Sequence, residues 1–100
     1  MQGSSKVSIL QGDRRYCYLT GAVGYLHKHH IYFGTGLRKI SDKHGFWVLL
    51  TPELHNMSEN GVHGKNGHEL DLKLKQECQR VFEREHTREE FMSIIGRNYL

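Results

Sequence analysis

The apolar positions of this 100-residue chain change period along its length. In the first half they come in short runs separated by glycines and charged clusters; from Glu69 onward they recur every three or four positions. Val7–Leu10 and Tyr16–Leu19 read as two short β candidates around the polar, turn-like stretch Gln11–Arg15. Gly21 and Gly24 mark a loop, and Leu26–Phe33, rich in His, Ile, Tyr and Phe, reads as a strand that Gly34 and Gly36 terminate. Leu37–His44 is a polar, basic excursion with room for one helical turn. Phe46–Leu50 (FWVLL), aromatic and β-branched without a charge, is the clearest strand, and its Trp47 reads as core.

Thr51-Pro52-Glu53 combines an N-cap residue, a proline for the first helical position and an acid for the first turn. It predicts a helix over 52–60 that carries His55 and is closed by Gly61. Within 69–85, Leu70, Leu74, Cys78, Val81 and Phe82 form a helical stripe with a charged outer face, suited to core packing. Thr87-Arg88-Glu89-Glu90 is a capping box that opens a short helix through Phe91, Ile94 and Ile95, ended by Gly96. The tail Arg97–Leu100 either docks on the core or contacts DNA. The pattern predicts an α+β fold, a β-hairpin followed by helices, in one domain over 1–100 with a flexible start at 1–6.

Composition narrows this picture. The length suits one core, and 37% hydrophobic with 10% aromatic residues is globular rather than disordered. No run approaches the roughly 18 apolar residues of a membrane span. The opening MQGSSKVSIL lacks the apolar centre of a signal peptide, so a cytoplasmic location without membrane partner is expected. Cys17 and Cys78 form no CxxC pair and read as free thiols rather than a disulfide or a four-cysteine zinc site. A formal charge of +3 suits a polyanionic partner without demanding one.

The eight histidines change the picture more. All but His86 fall in the central segment. A generic basic surface is made with Lys or Arg, which are charged at pH 7, whereas neutral imidazole suits a ligand or a base. His29 and His30 lie on the first long strand, His55 on the following helix and His63 just past it. If the strands pair and the helix crosses them, these four converge as a metal requires, and imidazoles suit Zn, Ni, Mn or Co. Successive strand residues face opposite ways, so His29 and His30 share a site only if the strand bends or bulges there. On the residues alone a metal site, a catalytic base, a pH switch and a solvated pair on a strand edge all stay open. His27 alternates with His29 and shares its face; His44 is a candidate ligand orienter or DNA contact; His68 and His86 read as surface residues. Arg38, Lys39 and Lys43 lie between the strands, either as a solvated basic loop or as phosphate contacts that need charge without base readout.

The ordered pieces CYLTG (17–21), LHKHHIYFG (26–34), LRKISDKHGFWVLL (37–50), the His55-Asn56 pair, GVH (61–63), ELDLKLKQECQ (69–79) and EEFMSIIGRNYL (89–100) cover most of the chain from Cys17 onward. Their order and spacing resemble the HNH endonucleases of the ββα-metal (His-Me finger) fold, and among them the small HNH proteins of phages and prophages. The resemblance implies a hairpin and helix around one divalent metal ion (Mg, Mn, Ni or Zn), buttressed by C-terminal helices. It implies His29 as the first metal ligand, His30 as general base on the attacking water, His55 as the ligand on the helix and His63 as a further ligand. It implies hydrolysis of DNA phosphodiester bonds in a bacterial host's cytoplasm; a hundred residues cover few base pairs alone, which suits a homodimer or a phage or host protein partner. The chain departs from the family where the middle Asn is expected: Lys43-His44-Gly45-Phe46 stands there, and His44 or Asn56 is the nearest substitute. Many relatives carry Cys where Thr51 stands, and with Thr20 ending CYLT no structural zinc built from cysteines is expected. The alternative is a non-catalytic nucleic-acid-binding or protein-interaction module that keeps the fold, and behind it a metal-stabilised structural protein.

Overall fold

Two four-residue strands, β1 (His27–His30) and β2 (Trp47–Leu50), pair antiparallel in the register His27↔Leu50, Lys28↔Leu49, His29↔Val48 and His30↔Trp47. They belong to a computed structural model that describes residues 7–60 and 65–100. The helices are α1 (Leu37–His44), α2 (Pro52–Asn60), α3 (Lys65–Phe82) and α4 (Arg88–Ile95). The class is α+β, as the pattern predicts.

Every residue of β2 is buried, which explains why its sequence shows no alternation. One reason lies in its second edge. The Ser8 hydroxyl donates to the Trp47 carbonyl at 2.5 Å, the Leu49 amide donates to Gln11 Oε1 at 2.7 Å, and the Tyr18 amide donates to the Leu49 carbonyl at 2.8 Å. The expected strands Val7–Leu10 and Tyr16–Leu19 are therefore corrected: only an isolated Ser8↔Gly12 bridge forms there. Two buried polar side chains stand in for a third strand and cover an edge that would otherwise expose unpaired amides.

The first long strand is also shorter than Leu26–Phe33. After one more backbone bond, Ile31 amide to Phe46 carbonyl at 2.9 Å, the chain turns to α1. There the buried Ser41 hydroxyl accepts from the Tyr32 amide and donates to the Tyr32 carbonyl, replacing the ladder. The excursion expected to hold one turn is a full helix of eight residues. It ends at Gly45, whose φ of 76° lets its own amide and that of Phe46 both return to the Ser41 carbonyl.

Helix α2 spans the predicted range from Pro52. Helix α3 starts and stops earlier than 69–85, its stripe burying Leu74 and Cys78 completely. Helix α4 carries the predicted box, with Thr87 Oγ1 accepting from the Glu90 amide and Glu90 Oε1 accepting from the Thr87 amide. The rings of Tyr32, Phe46, Phe82 and Phe91 meet at the centre, with centroids 5.4 Å apart for Tyr32–Phe91 and 5.6 Å for Phe46–Phe82. The C-terminal tail docks: buried Gln79 donates to Asn98 Oδ1 and accepts from the Tyr99 amide. Cys17 and Cys78 are buried and unpaired. Among the described residues no helix is long and apolar enough to cross a membrane.

Candidate functional site

Alternation along β1 sorts its side chains between two helices. His27 and His29 face α2, and Lys28 and His30 face Asp42 of α1. His55 stands one turn into α2, its amide bonded to the Thr51 carbonyl at 2.9 Å. Its Nδ1 lies 2.9 Å from Nδ1 of His27, with the rings edge to face at 4.9 Å. One of these nitrogens donates and the other accepts. His55 also meets His29, at 5.4 Å between centroids and 72° between planes.

His29 is completely buried, and neither ring nitrogen has a hydrogen-bond partner among the described residues. Burial, reinforced by the neighbouring positive charges of His55, Lys75, His30 and Arg38, pushes its pKa down to about 3. The imidazole is therefore neutral at physiological pH, with a lone pair to offer. A buried polar group left without a partner costs about 1–3 kcal/mol. Such a group beside a second imidazole fits a borderline cation, which binds neutral imidazole nitrogen. His29 and His55 are two donors; among the described residues no group of three or more His, Cys, Asp or Glu is arranged to hold a metal ion. His63, the further ligand implied by the resemblance, lies outside the described residues.

The bend that would bring His29 and His30 to one face is absent, because β1 pairs with β2 residue for residue. His30 instead points to α1, its Nε2 3.3 Å from Asp42 Oδ1. The same carboxylate oxygen takes the Lys28 ammonium at 2.6 Å, and Lys28 lies 4.6 Å over the Trp47 ring. Burial raises the Asp42 pKa, but the hydrogen bonds from Lys28 and His30 outweigh it and leave the carboxyl below its usual range. A carboxylate on Nε2 selects the tautomer that leaves Nδ1 of His30 as the basic nitrogen.

The remaining candidates separate. Arg38, Lys39 and Lys43 are exposed along α1, a helix and not a loop, and Arg38 is close enough for its charge to act on His29. His44 stacks on Phe46 at 5.5 Å and lines a cavity of about 600 Å³ with His86, Glu85 and Glu90, apart from His27, His29 and His55. Asn56 is exposed on α2. Asp42 is the residue that reading along the chain overlooks, since it sits in a charged run where nothing marks it. Lys75 and Asp71 are a second omission: they pair at 2.5 Å on α3, with the Lys75 ammonium 4.2 Å over the Phe33 ring. Their i,i+4 spacing is a signal for the pair, though not for its place near His29.

No protein-family model, curated protein or solved structure matches the chain, so the site is read from its own geometry.

Proposed function

We propose that this chain is a metal-dependent HNH endonuclease of the ββα-metal type, hydrolysing DNA phosphodiester bonds with one divalent cation. The observation that carries the reading is His29: buried, neutral and, among the described residues, without a hydrogen-bond partner beside His55. A strand, a second strand and a helix supply β1, β2 and α2 in the order this reading requires. His29 and His55 would hold the cation, with His63 as the further ligand. The bound cation would neutralise charge on the scissile phosphate and on the departing oxygen. His30 takes the proton of the attacking water on Nδ1, and Asp42 fixes its tautomer and compensates the imidazolium that forms. Arg38, Lys39 and Lys43 meet backbone phosphates. A phage or prophage origin, action within a bacterial cytoplasm, and a homodimer or protein partner complete the reading.

A specific observation favours a second reading. His30 faces away from His29 and His55, which suits a non-catalytic nucleic-acid-binding or protein-interaction module with the same framework. Supercoiled plasmid incubated with the protein and Mg, Mn, Ni or Zn separates the two. The nuclease nicks with at least one metal, stops on chelation, and loses about 100-fold or more in His30→Ala. Nicking no faster than that variant with every metal sinks the enzyme.

A further inference from the structure

The two most exposed large apolar side chains among the described residues are Val23, 79% exposed, and Tyr25, 78% exposed. Both sit on the loop that leads into β1. The base of this loop is tied down: the Gly21 amide donates to the Cys17 carbonyl and the Cys17 amide to the Ala22 carbonyl, each at 2.8 Å. The Ala22 amide donates to Thr20 Oγ1 at 3.2 Å. The tip stands clear. Gly21 and Gly24 have φ of 78° and 114°, and a Cβ at either would meet nothing within 4 Å. A fixed base and a bare tip hold the aromatic ring out in solvent without a folding step on binding.

The ring is also in line with the histidines. Tyr25 meets His27 edge to face at 5.2 Å, His27 meets His55 at 4.9 Å, and His55 meets His29 at 5.4 Å. A row of rings thus runs from open solvent to the fully buried imidazole. We propose that Tyr25, flanked by Val23, is a stacking platform for an unpaired nucleobase of a strand whose phosphate would be met by the cation at His29 and His55, so that the chain prefers single-stranded or locally unpaired DNA. The inference rests on the nuclease reading for where the phosphate lies.

A protein partner is the less suitable occupant, because stable protein docking uses a broad apolar patch. Here the neighbours of the two side chains along the loop are Gly21, Ala22 and Gly24, and the next large apolar residue, Leu26, packs against the core. A flat ring answers a base, and the net charge of +3 answers its backbone. Inside a duplex both faces of a base are already stacked, so Tyr25 offers a contact only to a base outside the stack.

The test is fluorescence anisotropy of a labelled short oligothymidylate and of a blunt duplex, with Mn²⁺, on the His30→Ala protein to prevent cleavage. Tyr25→Ala in that background weakens single-strand binding by about 5- to 150-fold, the usual range for one stacked base. Duplex affinity stays within about twofold, and Tyr25→Phe and Tyr25→Trp retain the single-strand affinity. Circular dichroism of each variant matches the parent, since the side chain is exposed. Unchanged single-strand affinity in Tyr25→Ala overturns the inference and leaves the nuclease reading standing. An equal loss on duplex and single strand overturns the preference for unpaired bases. A Tyr25-dependent affinity in a protein that nicks nothing supports the platform and removes the nuclease. Failure to bind either DNA removes both.

Discussion

His29 and His30 are neighbours in the chain and face opposite sides of β1: His29 lies buried against His55, and His30 reaches Asp42 at 3.3 Å. Regular pairing with β2 enforces the split, because each residue flips the side chain to the other face. On the proposed nuclease reading, a phosphodiester handled by both would lie across the end of β1, where the chain leaves the sheet after His30, with one histidine on a cation and the other on a water.

Among the described residues the ring nitrogens of His29 have no hydrogen-bond partner, which sets stability against binding. His29→Leu replaces that buried imidazole with an apolar side chain of similar size. We expect the metal-free variant to be as stable as the parent or more stable by about 1–2 kcal/mol in urea denaturation. The same variant gains no stability from added Zn²⁺ or Ni²⁺, whereas the parent does. A parent protein that gains nothing from any divalent ion would remove His29 from the ligand set.

Acid should expose the same residue. His29 titrates at about 3 in the folded chain against 6.5 for a solvated imidazole, so between these pH values the unfolded chain holds the extra proton. Stability of the metal-free protein therefore rises with pH across that window and falls as pH drops from 6.5 toward 3. Urea midpoints measured from pH 7 down to pH 4 should fall more steeply for the parent than for His29→Leu. Parallel curves would contradict a buried neutral imidazole.

Asp42 holds Lys28 and His30 with one oxygen, and on the nuclease reading its loss should separate catalysis from folding. Its side chain is 19% exposed, so Asp42→Ala is expected to cost less than about 1 kcal/mol of stability. Nicking should slow by about 10- to 100-fold, since His30 loses the group that orients it, while metal affinity stays unchanged. Asp42→Asn keeps the hydrogen bond and should fall between. Equal rates for all three proteins would mean that the His30–Asp42 contact is structural.

What could be read along the chain was whatever carries local punctuation. Pro52 opens α2, and Thr87 with Glu90 and Gly96 bounds α4, because caps and breakers act within one turn of the backbone. Helix α1 was only half legible: Leu37 and Ile40 are its sole large apolar residues, and its key contact is Ser41, whose hydroxyl serves Tyr32 nine residues away. The strand period alone predicts that His27 joins His29 and that His30 leaves them. It cannot show Asp42 beneath His30, since that meeting depends on how α1 packs against β1. The sequence of the tail leaves docking and DNA contact equally open, because the side chain that holds it, Gln79, lies on α3 twenty residues away.

The misread N-terminal segment supplies the sharpest structural prediction. Gln11 is 5% exposed and makes contacts at both ends of its amide: Oε1 accepts from the Leu49 amide at 2.7 Å, and Nε2 donates to the Tyr16 carbonyl at 2.9 Å. It links the turn before Tyr16 to the open edge of β2, a task that apolar periodicity does not encode. Gln11→Ala leaves the Leu49 amide buried without its acceptor, at a cost of about 1–3 kcal/mol. Gln11→Glu keeps an acceptor for Leu49 but loses the donor to Tyr16 and buries a charge, so it should be no better tolerated at neutral pH. Gln11→Met keeps the length and neither bond, and should resemble the alanine variant. Hydrogen exchange reads the effect directly: the Leu49 amide, protected in the parent, should exchange faster in Gln11→Ala than the Ile31 amide, which bonds to the Phe46 carbonyl and is untouched by the change. Equal acceleration at both sites would mean that Gln11 supports the whole fold rather than pinning one edge.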